Sequence, residues 1–423
     1  IDSEVPVGKT ELDAVRNRMK EIVKADIPFI QVEEETEVVA DLFKKLGKDD
    51  KAQLLETSDL LYARYSKLGN YIDYFYGCLT PSTGYINMFD IQPHNGGFLL
   101  RVPNRVNPVE LEPEVYQEKL LNVYREHLNF LKISELDNVG DLNAAIRNDE
   151  VYQVVQVAEA YQSMQINDIA KEIARRFKEG VRVVFISGPS SSGKTTFRKR
   201  LEVQLRVNLL KPIGISLDDY FIDRDKTPLD EHGEKDYESL YALNLELFED
   251  HMLKLMEGEE VELPFYDFVT GKSGYRGNYL QMDKNSVLIV EGIHGLNPEL
   301  TEHIPADKKF LIYVSALTTI SLDDHNWIPA SDNRLIRRMI RDYTYRGYSA
   351  EQTISRWDSV RRGEEKWIFP YQENADVMFN SAMIYELAAI RRHAEPILMQ
   401  VPRTAPEYSE AYRLLKFLSY FNY

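Results

Sequence analysis

The amino-acid sequence predicts an α+β domain over residues 1–110, a helical connector over 111–180 and a doubly wound α/β domain over 181–423. Two observations predict this division. Beyond residue 180, short β-branched runs alternate with helical segments, which is typical of a parallel sheet covered on both faces. Before residue 110, two helical patterns precede a stretch rich in aromatic residues and turn pairs, which indicates an antiparallel sheet.

The predicted elements follow in chain order. Helical periodicity covers residues 11–23 and 37–47, and the second pattern ends at a glycine. Residues 71–102 combine aromatic residues with turn pairs such as Gly96-Gly97, as antiparallel strands do. The strands of the α/β domain are expected at five apolar or β-branched runs: 182–187, 212–216, 287–291, 309–314 and 376–379.

Composition excludes several classes of protein. The chain has 423 residues, and its 51 Lys and Arg residues against 68 Asp and Glu residues give a formal charge of −17. We therefore expect neither nucleic acid nor a membrane as a partner. The sequence shows no apolar window of membrane-spanning length and no secretion signal, which favours a cytoplasmic location. Homo-oligomerisation is left open.

The segment GPSSSGKT at residues 188–195 fits the pattern G-x-x-x-x-G-K-[ST] and lies between a predicted strand and a predicted helix. In such a turn, backbone N–H groups face the phosphates, and the helix N-terminus adds partial positive charge. Lys194 would bridge phosphate oxygens, and Thr195 would be a ligand of Mg²⁺. We expect ATP and Mg²⁺ to bind here, on the following residues: Gly188, Ser190, Ser191, Ser192, Gly193, Lys194, Thr195 and Thr196.

Two acidic positions lie at the carboxyl ends of predicted strands, where α/β sheets bind ligands. Glu291 ends the run VLIVE and is a candidate for the acid near the metal ion. Asp218 and Asp219 follow another strand, although a turn or a helix cap would use the same residues. A kinase needs a carboxylate that accepts the proton of the acceptor hydroxyl, and Asp218 is the candidate.

A row of arginines indicates a phosphate-facing helix. Arg334, Arg337, Arg338 and Arg341 recur at i, i+3, i+4 and i+7, so they share one helical face. That face could close over a triphosphate, and a solvated basic surface or a nucleic-acid patch is the alternative. Arg346 lies one turn beyond and fits a lid arginine near a hinge.

Five motifs in order resemble the uridine kinase family, which is itself similar to phosphoribulokinase: GPSSSGKTT, SLDDYF, PFYDF, VLIVEG and RLIRRMIRDYTYRG. The resemblance spans about residues 181–395. It implies a P-loop kinase with a helical lid and a small nucleoside-like substrate. The implied reaction is transfer of the γ-phosphate of ATP to the 5′-hydroxyl of a nucleoside.

The resemblance also implies residue roles. Four residues are implied to be catalytic: Asp218 as the base, with Lys194, Arg338 and Arg341. Five are implied to bind the acceptor substrate: Asp218, Glu238, Tyr266, Ile293 and Arg338. Thr195 and Glu291 would hold the metal ion, and Arg346 would bind the nucleotide. Arg334 and Arg337 would serve the structure.

Two positions depart from the family's pattern. The histidine that reads the pyrimidine base is replaced by Gly271, and a glutamine with the same role is replaced by Arg356. Each change removes a hydrogen-bonding group on which discrimination between bases depends. The sequence therefore leaves alternatives open: a nucleoside kinase, a kinase of another small alcohol such as a sugar or sugar phosphate, or an RNA-associated regulatory P-loop NTPase.

Residues 11–102 resemble the second additional domain of threonyl-tRNA synthetase, on the segments YIDYFYGCLTPSTGYINMFDI and HNGGFLLRVP. That domain builds a metal site from a His-x-x-x-His pair with a later cysteine and histidine, and no such pair precedes Cys78 here. A lone cysteine cannot build a zinc site of three or four ligands. We expect a domain that has lost this chemistry, with Cys78 as a small buried apolar residue.

Overall fold

The computed structural model describes residues 8–75, 77–94, 97–104, 107–231 and 233–423. The chain divides into two compact units, Ile1–Gln117 and Glu118–Tyr423. The helices expected over 111–180 begin at residue 118 and belong to the second unit. Within the described ranges, no helix combines the length and the apolar character that a bilayer crossing requires.

The first unit is an α+β arrangement. Its described elements are α1 (Lys9–Lys24), β1 (Phe29–Glu35), α2 (Thr36–Lys45), α3 (Asp49–Thr57), β2 (Tyr62–Leu68), β3 (Tyr71–Asp73), β4 (Asp90–His94) and β5 (Gly97–Arg101). Strands β1, β2 and β3 form one antiparallel sheet, and β4 pairs with β5 in a separate hairpin. The predicted turn at Gly96-Gly97 falls partly on Gly96, which lies outside the described residues.

The antiparallel sheet expected over 71–102 is thus divided between two sheets. The chain between β3 and β4 bonds to the α1–β1 connection and does not continue the sheet. The carbonyl of Pro81 accepts the N–H of Phe29 (3.0 Å), and the hydroxyl of Thr83 accepts the N–H of Ile27 (2.9 Å). The same hydroxyl donates to the carbonyl of Ile22 (2.8 Å), so this segment covers the end of α1.

Cys78 is exposed, so the interpretation of this residue as a buried apolar side chain was wrong. It lies in the segment that leaves the sheet after β3. Burial falls instead on Asp73, which pairs with the buried Lys51 (3.0 Å) and accepts hydrogen bonds from Tyr71 (2.7 Å) and Lys48 (3.0 Å). Although burial opposes ionisation, the hydrogen bonds from Tyr71 and Lys48 hold the pKa of Asp73 well below its usual value.

The second unit is an α/β domain with a parallel sheet. Its described elements are α4 (Glu118–Ile133), α5 (Val139–Arg147), α6 (Val151–Glu179), β6 (Val183–Ser187), α7 (Lys194–Val207), β7 (Lys211–Ser216), α8 (Leu245–Glu257), β8 (Val261–Asp267), β9 (Lys272–Leu280), β10 (Ser286–Glu291), β11 (Lys309–Ser315), α9 (Ala330–Arg346), α10 (Ala350–Ser355), α11 (Trp357–Trp367), β12 (Val377–Asn380), α12 (Glu386–Leu398) and α13 (Tyr408–Leu418). The five-stranded sheet has the order β12-β11-β6-β10-β7, and β8 pairs with β9 in a hairpin. The prediction of a parallel α/β sheet is confirmed.

The central strands β6 and β10 are mostly apolar and are covered on both faces of the sheet. Every residue of β6 and β10 is buried. Val184 and Ile186 of β6 pack with α6 and α7, whereas Val183 and Phe185 pack with α8 on the other face. The carboxyl ends of β6, β7 and β10 therefore lie at one edge, and this edge carries the candidate site.

The packing of α7 on the sheet predicts a stability difference between two of its residues. Leu201 is fully buried in this contact, whereas Val203 is 59% exposed. We expect Leu201→Ala to lower the free energy of unfolding by about 2–5 kcal/mol because it leaves a cavity. Val203→Ala should change it by less than about 0.5 kcal/mol. Denaturant unfolding of the full chain measures both, and equal effects of the two substitutions would contradict this account of the core.

Candidate functional site

The turn between β6 and α7 encloses the side chain of Lys194. The Lys194 ammonium donates to the carbonyls of Gly188 (2.8 Å) and Pro189 (3.0 Å). Gly188 has a φ of 153°, and a Cβ at this position would overlap the carbonyl oxygen of Val314 on β11, so only glycine fits. Gly193 caps α7 with a left-handed φ of 84°. The turn is thus the strand, glycine loop and helix arrangement that binds phosphate.

The hydroxyl side chains of the turn differ in burial and in hydrogen bonding. The hydroxyls of Ser191 and Ser192 are buried and have no hydrogen-bond partner among the described residues. The hydroxyl of Ser190 accepts a hydrogen bond from Arg338 (2.6 Å). Thr196, which was predicted to bind the nucleotide, is exposed at the start of α7.

Two arginines of α9 donate hydrogen bonds to backbone carbonyls of the turn. Arg334 donates to the carbonyl of Ser190 (3.1 Å) and forms a two-point ion pair with Glu364, and both charged side chains are buried. Glu364 of α11 also accepts the N–H of Ser190 (2.9 Å). Arg337 pairs in the same manner with Glu386 and reaches the carbonyl of Ser191 (3.4 Å). These contacts tie α9, α11 and α12 to the turn.

The next arginines along α9 converge on one carboxylate. Asp342 is buried and lies 3.3 Å from Arg338, 2.8 Å from Arg341 and 3.4 Å from Arg346. One negative charge therefore faces three positive charges. Burial lowers the pKa of Arg338 and of Arg346, and Arg341 lowers both further. Sequence reasoning missed Asp342, although its spacing of four residues from Arg338 and from Arg346 is the signal for such a pair.

Asp218 stands at the carboxyl end of β7 and is exposed. It belongs to a group of charged residues with Lys194, Glu238, Glu291 and the arginines at the end of α9, and the space between them is called the cleft below. The N–H of Asp218 donates to the hydroxyl of Ser216 (3.3 Å), which holds the turn after the strand. The carboxylate is accessible, but the protein around the cleft shields it from bulk water and raises its pKa. Lys194, Arg346 and Arg341 oppose that rise, so these three cations lie close enough to act on Asp218.

Glu291 and Thr195 form the candidate metal site. The Thr195 hydroxyl donates to Oε1 of Glu291 (3.0 Å), and Nε of Arg198 lies 3.4 Å from the same oxygen. Oε2 of Glu291 is buried without a donor among the described residues. Burial raises the pKa of Glu291, and Arg198, Thr195 and Lys194 oppose the rise. A hydroxyl beside a carboxylate with an unused oxygen fits the ligand preference of Mg²⁺.

Glu238 enters the same cleft from the loop that precedes α8. It packs on α11 where Gly363 leaves room, because a Cβ at Gly363 would overlap the Cβ of Glu238. Burial raises the pKa of Glu238 to about 7, with Arg338 opposing and Glu364 adding to the rise. The structure therefore brings Glu238 into the electrostatic neighbourhood of Lys194 and Arg338. Its role in binding the acceptor substrate stays a prediction.

His294 is a buried residue near Glu238 that sequence reasoning missed. Its ring lies edge-on to Trp367 with 6.2 Å between the ring centroids, and its Nδ1 is buried without a hydrogen-bond partner among the described residues. Burial lowers the pKa of His294 to about 4, so the ring is neutral at pH 7. The signal in the sequence was a histidine three residues after Glu291.

Three aromatic rings form a cluster beside Asp218. Tyr266 lies 5.5 Å from Phe221 and 5.0 Å from Phe268 between ring centroids. Phe221 follows Asp218 by three residues in the segment after β7. Arg346 lies 6.0 Å from the Phe268 ring, so the cluster reaches the arginines of α9.

Two positions singled out in the sequence lie elsewhere. The structure does not group Ile293 with the charged residues: its side chain packs in an apolar cluster with Leu296, and its carbonyl accepts the Ser187 hydroxyl (2.6 Å). Arg356 is exposed and lies 4.9 Å above the ring of Tyr348.

Comparison with known proteins finds similarity over the second unit. Residues 183–388 match the family model described as the phosphoribulokinase / uridine kinase family. A uridine kinase of Halalkalibacterium halodurans is 29% identical over 198 residues, which cover 46% of this chain and 84% of that protein. A uridine kinase of Brevibacillus brevis is 27% identical over 197 residues, which cover 46% and 83%.

Among solved structures, D-glycerate 3-kinase from Cryptococcus neoformans is similar at 14% identity and a TM-score of 0.37, covering 52% of this chain and 92% of that one. A similarity of this size supports no statement about function. The sequence matches show that residues 183–388 are similar to this family. The resemblance of residues 11–102 to threonyl-tRNA synthetase stays a prediction.

Glu364 provides a test of how the turn is held. We expect Glu364→Gln to lower the free energy of unfolding by about 3–5 kcal/mol, because Arg334 would be left buried without a counter-charge. The variant should also bind ATP more weakly, since Ser190 loses its carboxylate acceptor. Glu365→Gln is the matched control, because Glu365 is exposed on the same helix with Arg361 at 3.9 Å. Thermal unfolding and ATP titration of both variants check this, and similar melting temperatures would contradict it.

The pKa of Glu238 predicts a pH dependence of acceptor binding. Because this pKa is raised to about 7, the carboxylate is ionised at pH 8 and mostly protonated at pH 6. If the ionised form binds the acceptor hydroxyls, the acceptor KM should rise about tenfold between pH 8 and pH 6. Glu238→Gln should raise the KM and remove this dependence, whereas Glu234→Gln, at an exposed position of the same loop, should keep it. An unchanged pH profile in Glu238→Gln would show that another group titrates.

Proposed function

We propose that the protein transfers the γ-phosphate of ATP to the 5′-hydroxyl of a nucleoside. The observation that carries the proposal is the position of Asp218, an accessible carboxylate at the carboxyl end of β7 beside Lys194 and two arginines of α9. A nucleotide hydrolase needs only to orient a water molecule, whereas transfer to an alcohol uses a carboxylate that accepts the hydroxyl proton. The match to the uridine kinase family supports the same reaction class.

The turn between β6 and α7 would bind the phosphates of the donor. Its backbone N–H groups and the N-terminus of α7 supply partial positive charge, and Lys194 supplies a full one. Lys194 would exchange its bonds to the carbonyls of Gly188 and Pro189 for phosphate oxygens. Thr195 and Glu291 would hold a Mg²⁺ ion, which neutralises charge on the phosphate oxygens when bound.

Asp218 would accept the proton of the acceptor hydroxyl as the oxygen attacks phosphorus. Its raised pKa suits this role, because a base works best when its pKa approaches the working pH. Arg338, Arg341 and Arg346 share the single carboxylate of Asp342, so the end of α9 carries excess positive charge. That charge would stabilise the transferring phosphoryl group, an effect worth about 10³–10⁵ in rate for a well-placed arginine.

A kinase of another small alcohol, such as a sugar or sugar phosphate, is the second candidate. Gly271 favours it, because this position lacks the side chain that would contact a base, and Arg356, the other altered position, is exposed. Phosphorylation of a sugar or sugar phosphate faster than of any nucleoside would favour this candidate over the first.

Measurement of ADP release over a panel of nucleosides, sugars and sugar phosphates tests the proposal. We expect nucleoside-dependent turnover, and we expect Asp218→Asn to lower kcat by about 10²–10⁴-fold with ATP affinity largely kept, because the variant lacks only the base. Asp225→Asn is the control, since Asp225 is an exposed carboxylate near the same turn. Full activity of Asp218→Asn would exclude Asp218 as the base. Absence of nucleoside-dependent turnover with ATP binding intact would reject nucleoside phosphorylation.

A further inference from the structure

The turn of the β8–β9 hairpin leaves a space that another side chain fills. Gly271 has a φ of 70°, and a Cβ at this position would lie 2.6 Å from Nε of Arg224. The N–H of Arg224 donates to the carbonyl of Gly271 (2.9 Å), which fixes the two backbones side by side. The Arg224 side chain therefore occupies the volume that a side chain at position 271 would need.

The guanidinium of Arg224 contacts the cluster of Tyr266, Phe221 and Phe268, which is called the aromatic wall below. One terminal nitrogen donates to the carbonyl of Phe268 (2.5 Å). Burial raises the pKa of Tyr266 and the positive charge of Arg224 opposes that rise, so the guanidinium lies near the Tyr266 ring. Phe221 completes the cluster, 5.5 Å from Tyr266 and 6.3 Å from Phe268 between ring centroids. Arg224 thus adds hydrogen-bond donors to the edge of an aromatic wall.

The charge of Arg224 is not neutralised by its neighbours. The nearest acids in the chain, Asp223 and Asp225, are directed to Lys272, at 3.4 Å and 3.1 Å. Asp223 also accepts the N–H of Ser273 (3.0 Å). Among the described residues no carboxylate pairs with Arg224. A guanidinium with only neutral partners keeps its attraction for an electron-rich group.

This wall lies beside the candidate base. Phe221 of this wall follows Asp218 by three residues, in the segment after β7. Arg346 lies over the Phe268 ring and acts electrostatically on Asp218. A substrate with its hydroxyl at Asp218 would therefore extend over the aromatic cluster towards Arg224.

The chemistry of these groups limits what can occupy the wall. Phe268 is exposed and offers its face to a planar ring, whereas Tyr266 is buried behind it, and stacking tolerates any nucleobase. A guanidinium only donates hydrogen bonds. It can therefore donate to a carbonyl oxygen or to a ring nitrogen that carries no hydrogen, and it disfavours an amino group at the same place. In nucleic-acid recognition, arginine donates in the same way to a carbonyl oxygen and a ring nitrogen of guanine.

We propose that Arg224 is a specificity-determining residue that selects acceptor nucleosides with a base carbonyl over those with an amino group at the same position. This inference rests on the proposed nucleoside kinase activity. The 6-oxopurine of inosine is then favoured over the 6-aminopurine of adenosine, and uracil over cytosine. Because Arg224 is partly exposed, the preference in kcat/KM should be about 10–100-fold within each pair, below that of a fully enclosed site.

Steady-state kinetics with inosine, adenosine, uridine and cytidine test the inference. In the unmodified protein we expect the preference for the oxo base in at least one of the two pairs. Arg224→Gln should reduce it to within about threefold, because an amide both donates and accepts. Arg224→Lys should keep the direction of the preference, since an ammonium only donates. Lys226→Gln is the matched control, because Lys226 is an exposed cation of the same short turn, and it should leave the ratios unchanged.

The outcomes separate this inference from the proposed function. Turnover of nucleosides without an oxo preference, or with a preference that survives Arg224→Gln, would overturn the inference and leave the kinase proposal standing. Arg224-dependent phosphorylation of a sugar phosphate such as ribose 5-phosphate, without nucleoside turnover, would show that Arg224 binds an anion and would overturn the inference. Failure of all four nucleosides with ATP binding intact would reject both.

Discussion

The candidate site depends on one buried carboxylate, Glu364. A buried ion pair alone stabilises little, because desolvation of the two charges offsets their attraction. Here the Arg334–Glu364 pair is embedded in further hydrogen bonds, since Glu364 also accepts the N–H of Ser190 and Arg334 donates to the Ser190 carbonyl. Both backbone polar groups of Ser190, in the phosphate-binding turn, are thereby fixed. Because Arg334 belongs to α9, the same contact sets the position of every arginine farther along that helix.

One physical cause explains the opposite pKa shifts in the cleft. Burial disfavours the charged form of any group, so the pKa of Asp218, Glu238 and Glu291 is raised while that of Lys194 and Arg338 is lowered. The acids and cations restrain each other's shifts, so no group in the cleft titrates independently. An anionic ligand in this cleft would favour the charged forms of the cations and oppose ionisation of the acids. Ligand binding and protonation are therefore coupled in this cleft.

The sequence was sufficient where a feature depends on neighbours along the chain. The parallel strands were predicted because continuous apolar runs show burial on both faces, and the phosphate-binding turn because its glycines and lysine are consecutive. Features that depend on distant contacts were not predicted. Glu364 meets Ser190 and Arg334 only in the folded chain, and Cys78 was misjudged because the segment after β3 bonds to the α1–β1 connection.

Gly271 shows why a residue read alone can mislead. In the sequence, a glycine where a base-contacting side chain is expected indicates only that a contact has been lost. In the structure, the space beside that glycine is filled by Arg224, which lies on a different loop and donates to the carbonyl of Phe268 in the same wall. The histidine expected at position 271 could accept a hydrogen bond, whereas Arg224 can only donate one. The chemistry of an acceptor pocket therefore follows from which side chains fill its volume, and it cannot be deduced from single positions in the sequence.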